Sequence, residues 1–223
     1  MNKTILSVAF IILTAISVSA QSAPERDTQL WNEFTVSIPI KSTADKLSVF
    51  VSGGLRIGQN LRHFIDERIV AGFEYKFNKY FSYSSSYLYR AGQPFKNRKE
   101  YEHRVRFDLS IENKWKKFSL KDRNRVEYRM RQSRSDSVRY RNKIQLKIPV
   151  KKDGREIFAP FVADEPFYDF SVKKFTRNEF SAGISKKFNK NFSADFYYIL
   201  QNNRGNSFKY VNIGVVNLKY TVD

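Results

Sequence analysis

The chain has 223 residues, with 40 Lys and Arg against 22 Asp and Glu, a formal net charge of +18, 41% hydrophobic residues and no cysteine. This composition excludes a disordered or collagen-like chain, and the lack of cysteine excludes disulfides, thiolate nucleophiles and cysteine-based zinc sites. A mean hydropathy of −0.54 excludes a bundle of membrane helices but is compatible with a membrane β-barrel, whose strands are half polar.

Residues 1–20 have the pattern of a secretory signal peptide. Lys3 precedes an uncharged apolar run, and the small residues Ser19 and Ala20 precede Gln21. The run is shorter than the roughly 20 residues that a spanning helix needs, so a retained anchor is the less favoured alternative. We expect cleavage near Ala20, which leaves residues 21–223 as the mature chain. Export also argues against nucleic acid as a partner, although the chain is basic and rich in aromatic residues.

Apolar and polar residues alternate with a period of two from about Gln29 onward, and no long segment has a period of 3.6. This pattern predicts an all-β protein. One parity of each segment is apolar and the other is polar, so a register shift of one residue would invert both faces. The clearest segments, in chain order, are Lys46–Gln59, Tyr80–Gly92, Glu100–Glu112, Phe118–Arg131, Val138–Val150, Arg177–Lys187, Phe192–Gln201 and Phe208–Val222.

Turns recur at intervals of 36 to 38 residues, which predicts one hairpin in each interval and a single sheet of repeated hairpins. The hairpin sequence that starts at Gly72 reappears at Gly183. Residues 156–168 are apolar on both parities, which predicts a bulge or bend near Pro160 or Pro166. The short turns lie near Thr43, Lys79, Trp115, Asp153 and Lys190, and the linkers between them are residues 60–63, 93–98, 133–136, 169–174 and 202–206.

The segments of 11 to 14 residues are longer than most strands of soluble sheets and match the roughly 9 to 11 tilted residues that cross a bilayer. We therefore predict a single antiparallel transmembrane β-barrel of about 10 to 12 strands, with short turns in the periplasm and longer linkers outside. We count 11 segments, and 10 or 12 strands are favoured because bacterial single-chain barrels have even strand numbers. A soluble periplasmic barrel that carries an apolar ligand has the same alternation and remains an alternative.

In a membrane barrel the polar parity lines the lumen, and three consecutive segments place a wall of basic residues there. Desolvated charges must be paired or hydrated, so we predict an ion-pair lattice, a wet lumen or both. A packed interior that stiffens the barrel is the favoured interpretation, and an anion-preferring passage is the sharper one. Asp122 and Asn124 fall on the lipid-facing parity and argue against this assignment. The basic wall consists of Arg104, Arg106, Lys121, Arg123, Arg125, Arg129, Arg131, Arg139, Arg141, Lys143 and Lys147, and its acidic partners on the same parity are Glu102, Asp108, Glu112 and Glu127.

The two histidines are poor catalytic candidates. His63 lies in a linker, and His103 lies on the apolar parity beside Tyr101, where we predict an interfacial aromatic pair. Ser82, Ser84 and Ser86 share one face, but no base accompanies them.

A carboxylate pair formed by Glu165 with Asp164 or Asp169 would suit acid–base chemistry, although the sequence does not fix their separation. The sequence contains no phosphate-binding glycine loop, paired-histidine motif or calcium loop. We therefore predict no catalytic residues, no metal site and no cofactor.

Several segments resemble a known family. They are Ser19-Ala20-Gln21, Trp31-Asn32-Glu33, the run Arg123-Asn124-Arg125-Val126-Glu127-Tyr128-Arg129, and Ala163-Asp164-Glu165-Pro166-Phe167-Tyr168. Nearly all of the mature chain resembles the outer-membrane barrel family catalogued as a domain of unknown function, DUF 2490, of Gram-negative bacteria of the Bacteroidetes type. The resemblance implies the fold and the location, and it transfers no activity because none is established for the family. The chain ends in Asp223 and not in an aromatic residue, which departs from general outer-membrane patterns.

Taken together, the sequence predicts a monomeric, non-enzymatic barrel in the outer membrane of a Gram-negative bacterium. The barrel would be structural or would form a narrow polar passage that prefers anions. Its expected partners are outer-membrane lipids, the outer-membrane assembly machinery and, where basic residues lie at the rim, lipopolysaccharide. An outer-membrane enzyme that modifies lipids is the alternative from another functional class.

Overall fold

Twelve β-strands and one 3₁₀ helix make up the part of the chain that this computed structural model describes, residues 25–44, 46–95, 98–132, 134–204 and 208–223. The predicted signal peptide, residues 1–20, lies outside the described residues. No described helix is long and apolar enough to cross a membrane. The strands are β1 (Arg26–Pro39), β2 (Leu47–Gly58), β3 (His63–Lys76), β4 (Phe81–Phe95), β5 (Arg98–Lys114), β6 (Ser119–Arg131), β7 (Ser137–Lys147), β8 (Val150–Lys152), β9 (Arg155–Asp169), β10 (Lys174–Lys187), β11 (Phe192–Asn203) and β12 (Tyr210–Thr221), and the 3₁₀ helix is Lys41–Thr43.

Eleven of these strands form a closed barrel. Strands β1 to β7 pair in chain order, β7 pairs with β9, strands β9 to β12 pair in chain order, and β12 pairs with β1. The short strand β8 pairs only with the first residues of β9, as a hairpin at one end of the barrel. The predicted all-β transmembrane barrel is confirmed.

An odd number of strands changes how the barrel closes. The chain direction reverses from each barrel strand to the next, so the first and the eleventh barrel strands run in the same direction. Accordingly β1 and β12 pair in parallel, from Arg26 opposite Tyr210 to Ser37 opposite Thr221. The segment count of 11 agrees with this barrel, whereas the preference for an even number and for antiparallel pairing throughout is wrong.

The odd closure places the start of β1 and the end of β12 at opposite ends of the barrel. Because the chain contains no cysteine, a single cysteine introduced at Arg26 or at Asp223, both exposed, would be a unique labelling site. In intact cells a membrane-impermeant maleimide is expected to label only one of the variants Arg26→Cys and Asp223→Cys. Both are expected to react once the outer membrane is disrupted. Labelling of both variants in intact cells would contradict the odd closure.

The internal repeat gives the same turn twice at one end of the barrel, which we call the turn end. The side chain of Asn78 accepts hydrogen bonds from the N–H groups two and three residues later, at 2.8 and 3.0 Å. Asn189 makes the same two contacts at 2.9 and 2.8 Å. At the opposite end, the loop end, the connections at residues 59–62 and 170–173 are no longer than the turn at residues 77–80. These two connections at the loop end are therefore not longer than the turns, although the sequence predicts longer linkers.

The bulge or bend predicted near the prolines of β9 corresponds to two register shifts. One is on β9 itself, where the pairing with β8 skips Ile157, three residues before Pro160. The other is on the neighbouring strand β10, between Phe175 and Arg177 and opposite residues 167 and 168. The apolar residues on both parities of β9 also reflect its two faces, because the outward residues include the exposed Val162 and most buried inward residues are apolar. The buried inward residues are Ala159, Phe161, Ala163, Glu165, Phe167 and Asp169.

The two faces of the barrel wall have opposite polarity. Large apolar side chains such as Val51, Ile69 and Phe107 are exposed on the outside. Charged side chains, including Glu102 and Glu127, are buried inside. Such an outer surface suits lipid contact. The alternative of a soluble carrier requires the apolar parity inside. Exposed aromatic residues lie near the turn end (Phe81, Trp115, Phe118, Phe188) and near the loop end (Phe64, Phe170, Phe175).

The two polar residues that argued against this assignment do lie on the outer face, in a hydrogen-bonded cluster. The Asp122 carboxylate accepts hydrogen bonds from Asn124 at 3.1 Å and from Asn142 at 2.5 Å. The Asn124 carbonyl accepts one from the Tyr140 hydroxyl at 2.5 Å. Polar groups on a lipid-facing surface must be satisfied within the protein, and neighbouring strands provide the partners here.

Candidate functional site

The barrel interior contains a connected set of ion pairs, which we call the ion-pair network. It joins side chains from six neighbouring strands, β3 to β7 and β9, through N–O distances of 4.0 Å or less. Its arginines outnumber its carboxylates. The members are Arg68, Arg90, Arg104, Arg123, Arg125, Arg129, Arg134, Arg139 and Arg141, with Asp66, Glu100, Glu102, Asp108, Glu127 and Glu165.

Glu127 is the most connected carboxylate of the network and is 0% exposed. It accepts two hydrogen bonds from Arg139, at 2.9 and 2.5 Å, and one from Arg141 at 3.2 Å. Arg104 and Arg125 lie within 4.0 and 3.8 Å of its oxygens. A carboxylate buried this deeply is stable in its charged form only because these guanidinium groups surround it.

Glu102 is the second centre of the network, nearer the loop end. Arg104 binds it with two hydrogen bonds, at 3.0 and 2.9 Å, and Arg129 donates a third at 2.5 Å. Arg90 lies 3.5 Å from Glu102 and also pairs with Asp66 on β3. The paired side chains thus extend across the interior from β6 to β3.

Glu165 and Asp108 complete the network toward the middle of the barrel. Glu165 accepts hydrogen bonds from Arg123 at 2.7 Å and from Arg141 at 2.8 Å. Asp108 accepts two from Arg125, at 2.6 and 3.1 Å. Each of these carboxylates has two basic neighbours. The resulting bidentate and shared contacts connect neighbouring strands inside the barrel and hold them at fixed separations.

The structure divides the predicted basic wall into paired and unpaired members. Six residues belong to the network: Arg104, Arg123, Arg125, Arg129, Arg139 and Arg141. Among the described residues the other five form no ion pair within 4.0 Å. Arg106 donates to the Ser86 hydroxyl at 3.0 Å, Lys147 to that of Ser185 at 3.1 Å, and Arg131 to the Ser135 carbonyl at the loop end. The remaining two are Lys121 and Lys143, both half-buried.

Three of the four predicted acidic partners, Glu102, Asp108 and Glu127, belong to the network. Glu112 instead pairs with Lys114 at 3.4 Å near the turn end. The sequence interpretation missed the inward acids of other strands, above all Asp66, although Asp66 and Arg68 do share one parity of β3.

A central cavity of about 310 Å³ lies within the barrel, and all eleven barrel strands contribute to its lining. On β5, β6 and β7 it is lined by basic residues, including Arg106, Arg123 and Lys143. On β1, β11 and β12, across the barrel, the lining includes polar residues and three buried apolar residues. We call these three the apolar wall: Trp31, Ile199 and Val215. The basic lining residues are Arg56, Arg68, Arg104, Arg106, Arg123, Arg125, Arg141 and Lys143, and the acidic ones are Glu33, Asp108, Glu165 and Glu179.

The geometry separates the residues that a hydrolase would need. Ser84 and Ser86 line the interior cavity. His103 lies on the outer face, where its ring contacts the Tyr89 ring and its Nδ1 is hydrogen-bonded to the Tyr87 hydroxyl. The barrel wall therefore stands between these serines and this base, and His103 sits among tyrosines as the interfacial interpretation expects.

The imagined carboxylate pair is also separated. Glu165 points inward and is engaged by two arginines, whereas Asp164 is exposed on the outer face and accepts a hydrogen bond from Asn178 at 2.8 Å. Asp169 is buried and accepts hydrogen bonds from the backbone and hydroxyl of Ser171. His63 is the first residue of β3 and not part of a linker. Within the described ranges no three His, Cys, Asp or Glu residues are grouped to hold a metal ion.

Comparison with known proteins identifies the family. No curated protein matches the chain. LpxR from Salmonella typhimurium is similar with 9% identity and a TM-score of 0.46, over 75% of this chain and 81% of that chain. An anion-selective porin from Comamonas acidovorans shares 11% identity with a TM-score of 0.39 over 76% of this chain, which spans about half of the porin's length (54%). At these identities the similarity concerns the fold alone. Residues 28–212 match the family described as Protein of unknown function (DUF2490), and the chain belongs to that family.

Proposed function

We propose that the protein is a non-enzymatic outer-membrane barrel whose interior is a narrow, polar passage that prefers anions. The observation that carries the proposal is the excess of basic over acidic side chains in the lining of the central cavity. Rings or walls of Arg and Lys favour anions over cations in a pore. The buried ion pairs of the network fill much of the lumen, so only small solutes would pass.

The proposal places the chain in the outer membrane of a Gram-negative bacterium after cleavage near Ala20. The apolar outer surface supports this location, because such a surface is suited to lipid and not to water. Outer-membrane lipids are then its main neighbours, and the assembly machinery of that membrane inserts it. The proposed orientation in the membrane places the turn end in the periplasm and the loop end outside the cell.

Conductance measurements test the passage directly. Purified protein inserted in a planar bilayer with a salt gradient is expected to give small conductance steps and a reversal potential that indicates anion preference. Changing the unpaired cations Arg106 and Lys143 to Gln should shift the reversal potential toward zero, because fewer positive charges then face the path. The matched control is Lys151→Gln on the exposed β8 hairpin, which should leave the reversal potential unchanged. A bilayer that contains folded protein and never conducts would refute the passage.

A role as a lipid-modifying enzyme has less support from the site. Its candidate serines and its histidine lie on opposite faces of the wall, and the carboxylate Glu165 is held by arginines. Loss of a lipid-directed activity on changing His103 to Ala would favour the enzyme, and unchanged activity in that variant would count against it.

A further inference from the structure

The central cavity contains positive charge that the protein itself does not neutralise. Among the described residues, Arg106 has only the Ser86 hydroxyl as a side-chain partner, at 3.0 Å. The Lys143 ammonium has only the Tyr197 ring, 5.9 Å from its nitrogen to the ring centroid. The Nε of Arg123 is buried and donates to no acceptor, although its Nη2 binds Glu165. Arg106 and Lys143 therefore have no carboxylate partner within 4.0 Å among the described residues. Such cations in a restricted interior are costly unless an anion or water accompanies them.

These three cations lie on three neighbouring strands and line the same cavity. Arg123 on β6 is directly opposite Lys143 on β7. Arg106 on β5 projects from the same face of the sheet and lines the same cavity. The residue opposite Arg123 on β5 is Ser110, so Arg106 lies four residues further along that strand. The three side chains are thus spread along one side of a space of about 310 Å³. That volume is at the lower limit of pockets that hold small molecules.

The opposite side of the same space contains an apolar surface beside the polar residues Glu33 and Asn217. Trp31, Ile199 and Val215 belong to a buried cluster with Val211 and Ile213. β11, β12 and β1 adjoin one another across the parallel seam and lie across the barrel from β5 to β7. The Arg56 guanidinium covers one face of the Trp31 ring, 3.3 Å from its carbon to the ring centroid. A solute held in this cavity thus meets donors on one side and, on the other, the apolar wall with polar residues beside it.

We propose that the cavity binds a small organic anion, with an acidic group on Arg106, Arg123 and Lys143 and an apolar body against the apolar wall. The inference rests on the proposed passage because it names the class of solute that the passage accepts. Binding itself does not require conduction, so the two proposals can fail separately. Glu33 also lines the cavity, and its negative charge opposes an anion, so its removal should strengthen binding.

Tryptophan fluorescence provides the readout. The chain has two tryptophans: Trp31 lines the cavity, and Trp115 lies at an exposed turn stacked on Phe118. The variant Trp115→Phe leaves Trp31 as the single reporter. Titration of this folded, detergent-purified full-length chain with hexanoate is expected to give a saturable change. Hexan-1-ol and inorganic phosphate, which lack the acid or the apolar body, should bind at least about tenfold more weakly.

Variants in the same background separate charge from shape. Arg106→Gln and Lys143→Gln should each weaken hexanoate binding by about tenfold, because each removes a charged donor. Arg106→Lys should retain much of the affinity, Glu33→Gln should increase it, and Lys151→Gln on β8 should not change it. Two Gln variants are used so that the test survives if one of them fails to fold, as judged by the mobility shift on boiling.

The outcomes that overturn the inference are specific. Equal binding of hexan-1-ol and hexanoate would remove the role of the cations. Equal binding of phosphate and hexanoate would remove the role of the apolar wall. Unchanged affinity in both Gln variants would show that the anion binds elsewhere. Saturable hexanoate binding in a protein that never conducts would support the site and refute the passage.

Discussion

Changing Glu127 to Gln is expected to lower the free energy of unfolding by about 3–5 kcal/mol, the usual cost of removing one partner from a buried ion pair. Glu127 is 0% exposed and accepts three hydrogen bonds from Arg139 and Arg141. The amide keeps the size of the side chain but removes its charge. Arg139 then loses its carboxylate partner, and Arg141 keeps only Glu165. The measurement is urea unfolding of the protein in lipid vesicles, followed by the mobility difference between folded and unfolded chains.

The matched control is Glu156→Gln, which changes an exposed carboxylate near the start of β9. We expect that variant to stay within about 0.5 kcal/mol of the unmodified protein, as most surface substitutions do. The double variant Glu127→Gln/Arg139→Gln should recover part of the loss, because the unpaired cation is removed together with its counterion. An equal stability of Glu127→Gln and Glu156→Gln would mean that the network contributes nothing to the fold.

Changing Ile69 to Lys is expected to destabilise the barrel in a bilayer by about 2–4 kcal/mol, the cost of a basic residue on the lipid face at mid-depth. Ile69 lies at the middle of β3 and is 60% exposed on the outer surface. In a water-soluble protein the same change at so exposed a position would be close to neutral. The experiment therefore tests the assignment of the outer face as well as the magnitude.

Val172→Lys supplies the comparison. Val172 is 52% exposed, much like Ile69, but it lies in the loop between β9 and β10. A lysine there remains in contact with water, so the unfolding free energy in vesicles should change by less than about 0.5 kcal/mol. If the two lysine variants have the same unfolding free energy in a bilayer, the exposed apolar outer surface of the barrel is not the surface that contacts lipid.

The alternating pattern was sufficient to assign the faces of most strands. Because side chains point to opposite sides with a period of two, each residue of β5, β6 and β7 could be assigned to the interior or to the outer face from its parity alone. The same rule placed Asp122 and Asn124 on the outer face. The sequence did not reveal that their hydrogen-bond partners are Asn142 and Tyr140 of the next strand.

The partners inside the barrel were less predictable. Glu165 meets Arg141 because β8 is so short that β7 and β9 become neighbours. Nothing in local spacing reveals that adjacency, and the apolar residues on both parities of β9 concealed which way Glu165 points. Asp66 pairs with Arg90, which is also a partner of Glu102. This contact depends on the register between β3 and β4, which the alternating pattern alone does not determine. Pairing across strands depends on the whole sheet, whereas parity depends on a few residues.

The parallel pairing of the first and last strands could not be predicted from the alternating pattern for a similar reason. Alternation counts segments, and the count of 11 agrees with the barrel, but an assumption taken from other barrels favoured an even number. Only the pairing of Arg26 with Tyr210 and of Ser37 with Thr221 shows that the first and last strands lie side by side and run in the same direction.

This parallel seam also determines the order in which the barrel is assembled. The other neighbouring barrel strands are linked by a short connection, whereas the two strands of the seam are separated by nearly the whole described chain. Closing so long a loop costs more entropy, and parallel pairing is slightly weaker for each residue, so the seam should form last and separate first. A chain that still lacks β12 leaves two open sheet edges, and such edges invite aggregation. Completion of the last strand is therefore the step that turns an exposed sheet into a sealed wall.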